Sequence, residues 1–312
     1  MRLLRFVPDD THIRFMHLRR FTLPLSALLS VLSIALFFVV GMNFGIDFRG
    51  GSLIEIQTTD GPANIGELRT KVGSLGLGDV QIQEFGAPNE ALIRVVQQEG
   101  GELAQQAVIA KIRDALGENV DYRRVEIVGP TVSGELARTG TIAVLVSIFA
   151  ILIYIWFRFE WQYAVGAVIA TVHDVVMTIG LFAILQLDFN LSSIAAILTI
   201  VGYSLNDTVV VYDRIRENVR RYRKMPITDL LDLSVNQTLS RTIMTSLTTL
   251  LALIALYLFG GEVIRSFVFA MIWGIVVGTY SSIYVASPVL LYLGAKSDGG
   301  SESKAAATAE GA

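Results

Sequence analysis

The stretch FTLPLSALLSVLSIALFFVVGM, Phe21–Met42, holds 22 residues without one charge. A helix crossing about 30 Å of hydrocarbon needs roughly 20 apolar residues, so this run reads as a membrane span. Five more runs of similar length follow: Thr139–Phe157, Trp161–Leu187, Phe189–Tyr212, Leu239–Phe259 and Ser266–Ala295. The first run follows basic residues as a signal peptide would, but it exceeds an h-region of about 7–15 residues, and no Ala-x-Ala-like site follows it. It reads as a retained anchor.

Composition agrees. The 312 residues are 53% hydrophobic and 17% charged, against about 25% charged in soluble domains. A purely soluble enzyme and a disordered chain are both excluded. Continuous apolar runs, rather than alternating ones, also argue against a porin-type barrel. The net charge of −3 gives no reason to expect a nucleic-acid partner. With no cysteine, disulfides, thiolate metal sites and cysteine nucleophiles are ruled out. No HExxH, GxSxG or P-loop occurs, so neither a protease nor an ATPase site is expected. The chain reads as a non-enzyme without cofactor.

Orientation follows from loop charges. Arg2, Arg5, Arg14, Arg19 and Arg20 precede the first span, and the 213–238 loop carries Arg214, Arg216, Arg220, Arg221, Arg223 and Lys224. The turns at Asp188 and at Gly260-Gly261-Glu262 carry no Lys or Arg. By the positive-inside rule both termini and the 213–238 loop face the cytoplasm, and 43–138 is exported. The expected division is a basic N-terminus over 1–20, helix 1 over 21–42, an exported domain over 43–138, helices 2–6 over 139–295 and a disordered tail over 296–312.

The exported segment, with 14 acidic and 9 basic residues, has its own pattern. Ser52–Thr58 alternates like a half-buried strand, and Asn64 caps a short helix over Asn64–Leu75. Val80–Phe85 and Ala91–Val96 are strands around the turn signal Ala87-Pro88-Asn89. Glu102–Leu116 is amphipathic with helical spacing, and Val120–Val128 is a last strand. The order β-α-β-β-α-β predicts a ferredoxin-like α+β fold. The fold class is therefore a six-helix transmembrane bundle with this domain between helices 1 and 2.

A charge at a helix centre costs about 2.5–3.5 kcal/mol, so membrane-embedded charges face the bundle interior and are functional candidates. Asp207 and Arg241 lie in the inner halves of helices 4 and 5. Around them are Ser204, Asn206 and Thr208 on one helix and Thr245 and Thr248 on the other, a polar lining able to hold water. One reading is an ion pair that fixes packing. The other is a proton site, because burial and a neighbouring guanidinium act on a carboxyl in opposite senses. His173 and Asp174 sit near the midplane of helix 3, as a relay or as a brace. Two ligands about 100° apart do not make a metal site, which needs three or four.

Three further features have simpler readings. Gly274-x-x-x-Gly278 is a small-residue packing stripe, and Pro288 kinks the last helix. The basic run after Asp213 is a topology signal near anionic lipid or a docking surface.

Several of these segments also resemble a known family. Gly45-Ile-Asp-Phe-Arg-Gly-Gly51, Gly129-Pro-Thr-Val-Ser-Gly-Glu-Leu136, His173-Asp-Val-Val176, Gly202–Asn218, Leu239-Ser-Arg-Thr-Ile243 and Gly278–Ala286 are similar to the motifs of the SecD/SecF family, over about residues 21–293. This family of protein-export membrane proteins is related to the proton-driven pumps of the RND superfamily. The resemblance implies an accessory to the SecYEG channel and the SecA ATPase, working with SecD as an obligate partner and with YajC, on unfolded preprotein. It implies use of the proton-motive force at the bacterial inner membrane, and it places the family's proton-path Asp and Arg on Asp207 and Arg241. Another carboxylate of that path belongs to SecD. The alternatives are small-molecule or lipid efflux within the same superfamily, and a scaffold without ion flux.

Overall fold

The computed structural model describes residues 11–294. The expected tail at 296–312, with Arg2 and Arg5, lies outside the described residues. Among the described residues, six helices are long and apolar enough to cross a membrane. They are α1 (Arg19–Val39), preceded by a 3-10 turn at Phe15–Leu18, α5 (Pro130–Arg158), α6 (Trp161–Leu185), α7 (Leu191–Arg221), α8 (Ile227–Phe259) and α9 (Arg265–Ser281). The last runs through a π-helical turn, Ser282–Ala286, into α10 (Ser287–Tyr292).

Between α1 and α5 come α2 (Ile46–Arg49), β1 (Gly51–Thr58), α3 (Ile65–Gly73), β2 (Val80–Phe85), β3 (Ala87–Val95), α4 (Gly101–Leu116) and β4 (Val120–Val128). The sheet is antiparallel in the order β2-β3-β1-β4, the ferredoxin-like arrangement. Alternation on β1 buries Ile54 and Ile56 against Ile93 of β3, Val72 of α3 and Ile112 of α4. Asn64 caps α3 by accepting a hydrogen bond from the Glu67 amide at 3.2 Å. The β2–β3 reversal falls one residue before the turn signal, at Gly86, whose φ of +73° suits glycine. Ala87–Asn89 thus belong to β3. Gly51 has φ +119°, and a Cβ there would meet the Val95 carbonyl oxygen at 2.3 Å. The chain enters the sheet through a gap only glycine fits.

The segment expected as a loop over 213–238 is almost entirely helical. α7 continues to Arg221 and α8 begins at Ile227, which leaves only residues 222–226 between them. At about 1.5 Å per residue, the 31 residues of α7 exceed the hydrocarbon thickness, so its charged end projects beyond the membrane. It stays helical because Ile215 packs with Leu230 and Leu231, and because Asn218 donates to Ser234 and Gln237 at 2.9 and 2.8 Å. Hydropathy marks where the lipid ends, not where the helix ends.

Within the bundle α9 packs closely on α7. A Cβ at Gly274 would meet Ile200 at 2.3 Å, and one at Gly278 would meet the Ser204 Cβ at 3.0 Å. The expected glycine stripe thus brings these two backbones together. Helices α1, α5 and α8 turn apolar residues outward, among them Phe38, Phe149 and Leu258.

Candidate functional site

α6, α7 and α9 meet around Asp174, whose side chain has no exposed surface. Its Oδ2 accepts hydrogen bonds from Ser204 of α7 at 2.5 Å and Ser281 of α9 at 2.7 Å. Its Oδ1 lies 2.9 Å from His173 Nδ1. Although adjacent residues diverge around a helix, the imidazole folds back onto its neighbour, and Tyr280 lies beside it with ring centroids 6.3 Å apart.

Asp207, one turn below Ser204 on α7, is 7% exposed. Thr242 of α8 donates to its Oδ1 and Ser282 of the π-helical turn to its Oδ2, each at 2.5 Å. Hydrogen bonds to a charged group stabilise by about 1.5–3 kcal/mol. Two of them offset much of the cost of placing a carboxylate in a membrane helix.

Arg241 precedes Thr242 on α8 and is exposed on the outside of the bundle. No ion pair joins it to Asp207 among the described residues, but its electrostatic influence reaches that carboxyl. The polar lining divides in two. Ser204 and Thr208 are buried, the first on Asp174 and the second with no hydrogen-bond partner for its hydroxyl among the described residues. Asn206 of α7 is exposed, as are Thr245 and Thr248 of α8, which bond backbone carbonyls of their own helix. At i, i+4 and i+7, Arg241, Thr245 and Thr248 form a polar strip along one face of α8.

Sequence reasoning missed the serines at 281 and 282. A π-helical turn inserts one extra residue into a helical turn, and here it presents neighbouring hydroxyls to two different helices. Pro288, at the start of α10, has no N–H to bond a carbonyl one turn back. The turn is held instead by Ser287 Oγ, which donates to the Ser282 carbonyl at 2.9 Å, and by Tyr212 Oη, which donates to that of Ala286 at 3.0 Å.

The end of the bundle at which α7 begins is tied to the domain of residues 43–138. Asp47 of α2 accepts a hydrogen bond from the Leu191 amide at the start of α7, at 2.9 Å. Asn43 donates to Asp188 at 2.7 Å, and the Phe189 amide bonds the Asn43 carbonyl at 2.8 Å. α7, which carries Asp207, therefore begins at the root of the domain of residues 43–138.

Comparison with known proteins places this arrangement. Residues 107–296 match the family "Protein export membrane protein SecD/SecF, C-terminal", and residues 35–61 match the "SecD/SecF GG Motif". The chain belongs to the SecD/SecF family. Among family members, a Rhodobacter capsulatus protein named "Protein translocase subunit SecF" is 46% identical over 306 residues, covering 93% of this chain and 92% of that protein. A Brucella abortus "Protein translocase subunit SecDF" is 48% identical, covering 95% of this chain but 39% of its own length. The solved SecDF of Thermus thermophilus, described as a translocon-associated membrane protein, has 37% identity and a TM-score of 0.82 over 91% of this chain and 39% of that one. The chain thus spans about two fifths of the SecDF proteins and nearly all of the SecF protein.

Proposed function

We propose that the chain is an accessory subunit of the Sec translocase which, with SecD, uses the proton-motive force to promote late steps of polypeptide export across the bacterial inner membrane. The SecF name of its full-length relatives supports the accessory role, and relatives with SecD and SecF in one chain support SecD as partner. SecYEG, SecA and YajC are the further partners of this reading, and unfolded preprotein is its cargo. The termini lie in the cytoplasm and residues 43–138 on the outer side.

The observation that carries the proton step is Asp207, buried and held by hydroxyls from two other segments. A proton falling through 100 mV releases about 2.3 kcal/mol, comparable with one charge-assisted hydrogen bond of about 1.5–3 kcal/mol. Protonation of Asp207 therefore supplies enough to exchange one of its bonds, to Thr242 or to Ser282, and so to repack α7 against α8 or the π-helical turn. The strip of Arg241, Thr245 and Thr248, with Asn206, faces SecD, which supplies the missing carboxylate beside Arg241. Motion of α7 reaches the exported domain through Asp47 and Asp188. Export assayed in vesicles with Asp207→Asn tests this: assembly is retained and the stimulation by the proton-motive force is lost.

A further inference from the structure

Ser281 and Ser282 are consecutive, yet one donates to Asp174 on α6 and the other to Asp207 on α7. Each hydroxyl also has a second acceptor within reach. Ser281 Oγ lies 3.1 Å from the Gly278 carbonyl oxygen, and Ser282 Oγ 3.0 Å from that of Thr279. When a carboxylate takes up a proton it stops being the stronger acceptor, and its serine turns to the backbone carbonyl. The two serines are joined by one peptide unit, so a shift of that stretch of backbone carries both hydroxyls.

We infer that Asp174 and Asp207 form one coupled proton-binding unit, with Ser281 and Ser282 as the positioning residues that join them. This rests on the reading that Asp207 exchanges a proton. The charged and titratable groups around the unit are His173 on α6, Tyr280 on α9, and Arg241 on α8. α1 contributes Ser26, bonded to Tyr280 at 2.9 Å, and α7 contributes Tyr203, which reaches Ser246 of α8 at 3.4 Å. Neither Ser281 nor Asp174 is bonded to Asp207, so any effect of changing them on Asp207 passes through the unit.

The two serines have opposite effects. A hydroxyl donating to a carboxylate favours its charged form. Without the Ser282 hydroxyl, Asp207 carries a proton more often. Without the Ser281 hydroxyl, Asp174 carries the proton more often and loses its negative charge, so Asp207 is relieved of a like-charged neighbour and is ionised more often. A static brace gives no such opposition.

The experiment uses the full chain assembled with SecD in lipid vesicles. Dicyclohexylcarbodiimide, an apolar reagent for protonated carboxyls, is the probe, and labelling at Asp207 is read by peptide mass spectrometry. Ser282→Ala is expected to raise labelling of Asp207, and Ser281→Ala and Asp174→Asn to lower it, each on the order of threefold for a like charge held on Ser204, one helical turn from Asp207 on α7. Asp174→Asn keeps the size of the side chain and serves if Ser281→Ala does not assemble. Labelling of Asp207 equal to wild type in Asp174→Asn and Ser281→Ala, while export still requires Asp207, overturns the coupling and leaves the proposed function standing. Full export by Asp207→Asn overturns the proposed function instead.

Discussion

Arg94 of β3 and Asp188 of the α6–α7 turn form an ion pair at 2.8 Å, with the two side chains 13% and 24% exposed. The pair joins the four-stranded sheet to the membrane bundle, and Asn43 bonds both partners. An ion pair this sheltered is screened far less by salt than one on an open surface, so it suits a joint that transmits force.

Replacing Asp188 by Asn is expected to cut export while proton flux through the assembled complex continues. Removing one partner leaves a largely buried guanidinium uncompensated, at a cost of about 1–3 kcal/mol. Hydrogen exchange checks it locally, since amides of residues 43–45 and 188–191 should exchange faster. Flux and export falling together would instead place Asp188 in the proton path.

The glycine at 51 is expected to tolerate no side chain. Gly51→Ala puts a Cβ 2.3 Å from the Val95 carbonyl oxygen at a φ of +119°, and that contact is backbone, which does not move aside. Loss of the exported domain's protease resistance, with the membrane helices still inserted, is the expected result. The contact at Gly274 behaves differently, because there a Cβ meets the Ile200 side chain and not backbone. Gly274→Ala should destabilise the α7–α9 contact, and adding Ile200→Ala should restore most of the loss.

Tyr122 of β4 gives a pH-dependent test confined to the exported domain. Burial raises its hydroxyl above the ordinary value of 10.0, opposed by Arg113 and aided by Asp114. The guanidinium of Arg113 lies over its ring, 5.0 Å from the centroid. A raised folded value means that the contribution to stability is fully present below pH 10 and is lost as pH rises through the folded value. The buried hydroxyl has no hydrogen-bond partner among the described residues, so Tyr122→Phe should be neutral or slightly stabilising at pH 7. It should also remove that share of the alkaline destabilisation. Thermal unfolding of the full chain in detergent at pH 7 and above pH 10 measures both.

Much of this architecture was legible in the residues. Uncharged runs such as Phe21–Met42 have one stable solution in a bilayer, and the alternation around Ile54 and Ile56 marks β1. The C-terminal end of α7 was not legible as helix, because hydropathy stops at Tyr212 while Ile215 and Asn218 continue the packing beyond the lipid. Asp207 and Asp174 stood out because charge in a membrane is costly, but their partners did not. Serine in a helix ordinarily bonds a carbonyl of its own helix, as Ser30 does with Ser26. Nothing in the sequence says that a π-helical turn aims Ser281 and Ser282 at two other helices. Arg241 shows the opposite limit: its charge is conspicuous, but the sequence does not reveal that it lies exposed on the outside of the bundle.

Proton flux is the most direct test of the central claim. Vesicles holding the chain with SecD, energised by an imposed potential and pH gradient, are compared with the same vesicles holding Asp207→Asn at matched levels of assembled complex. Flux that depends on SecD and disappears in Asp207→Asn is the predicted outcome. Equal flux in the two, or none in either while export proceeds normally, would contradict it.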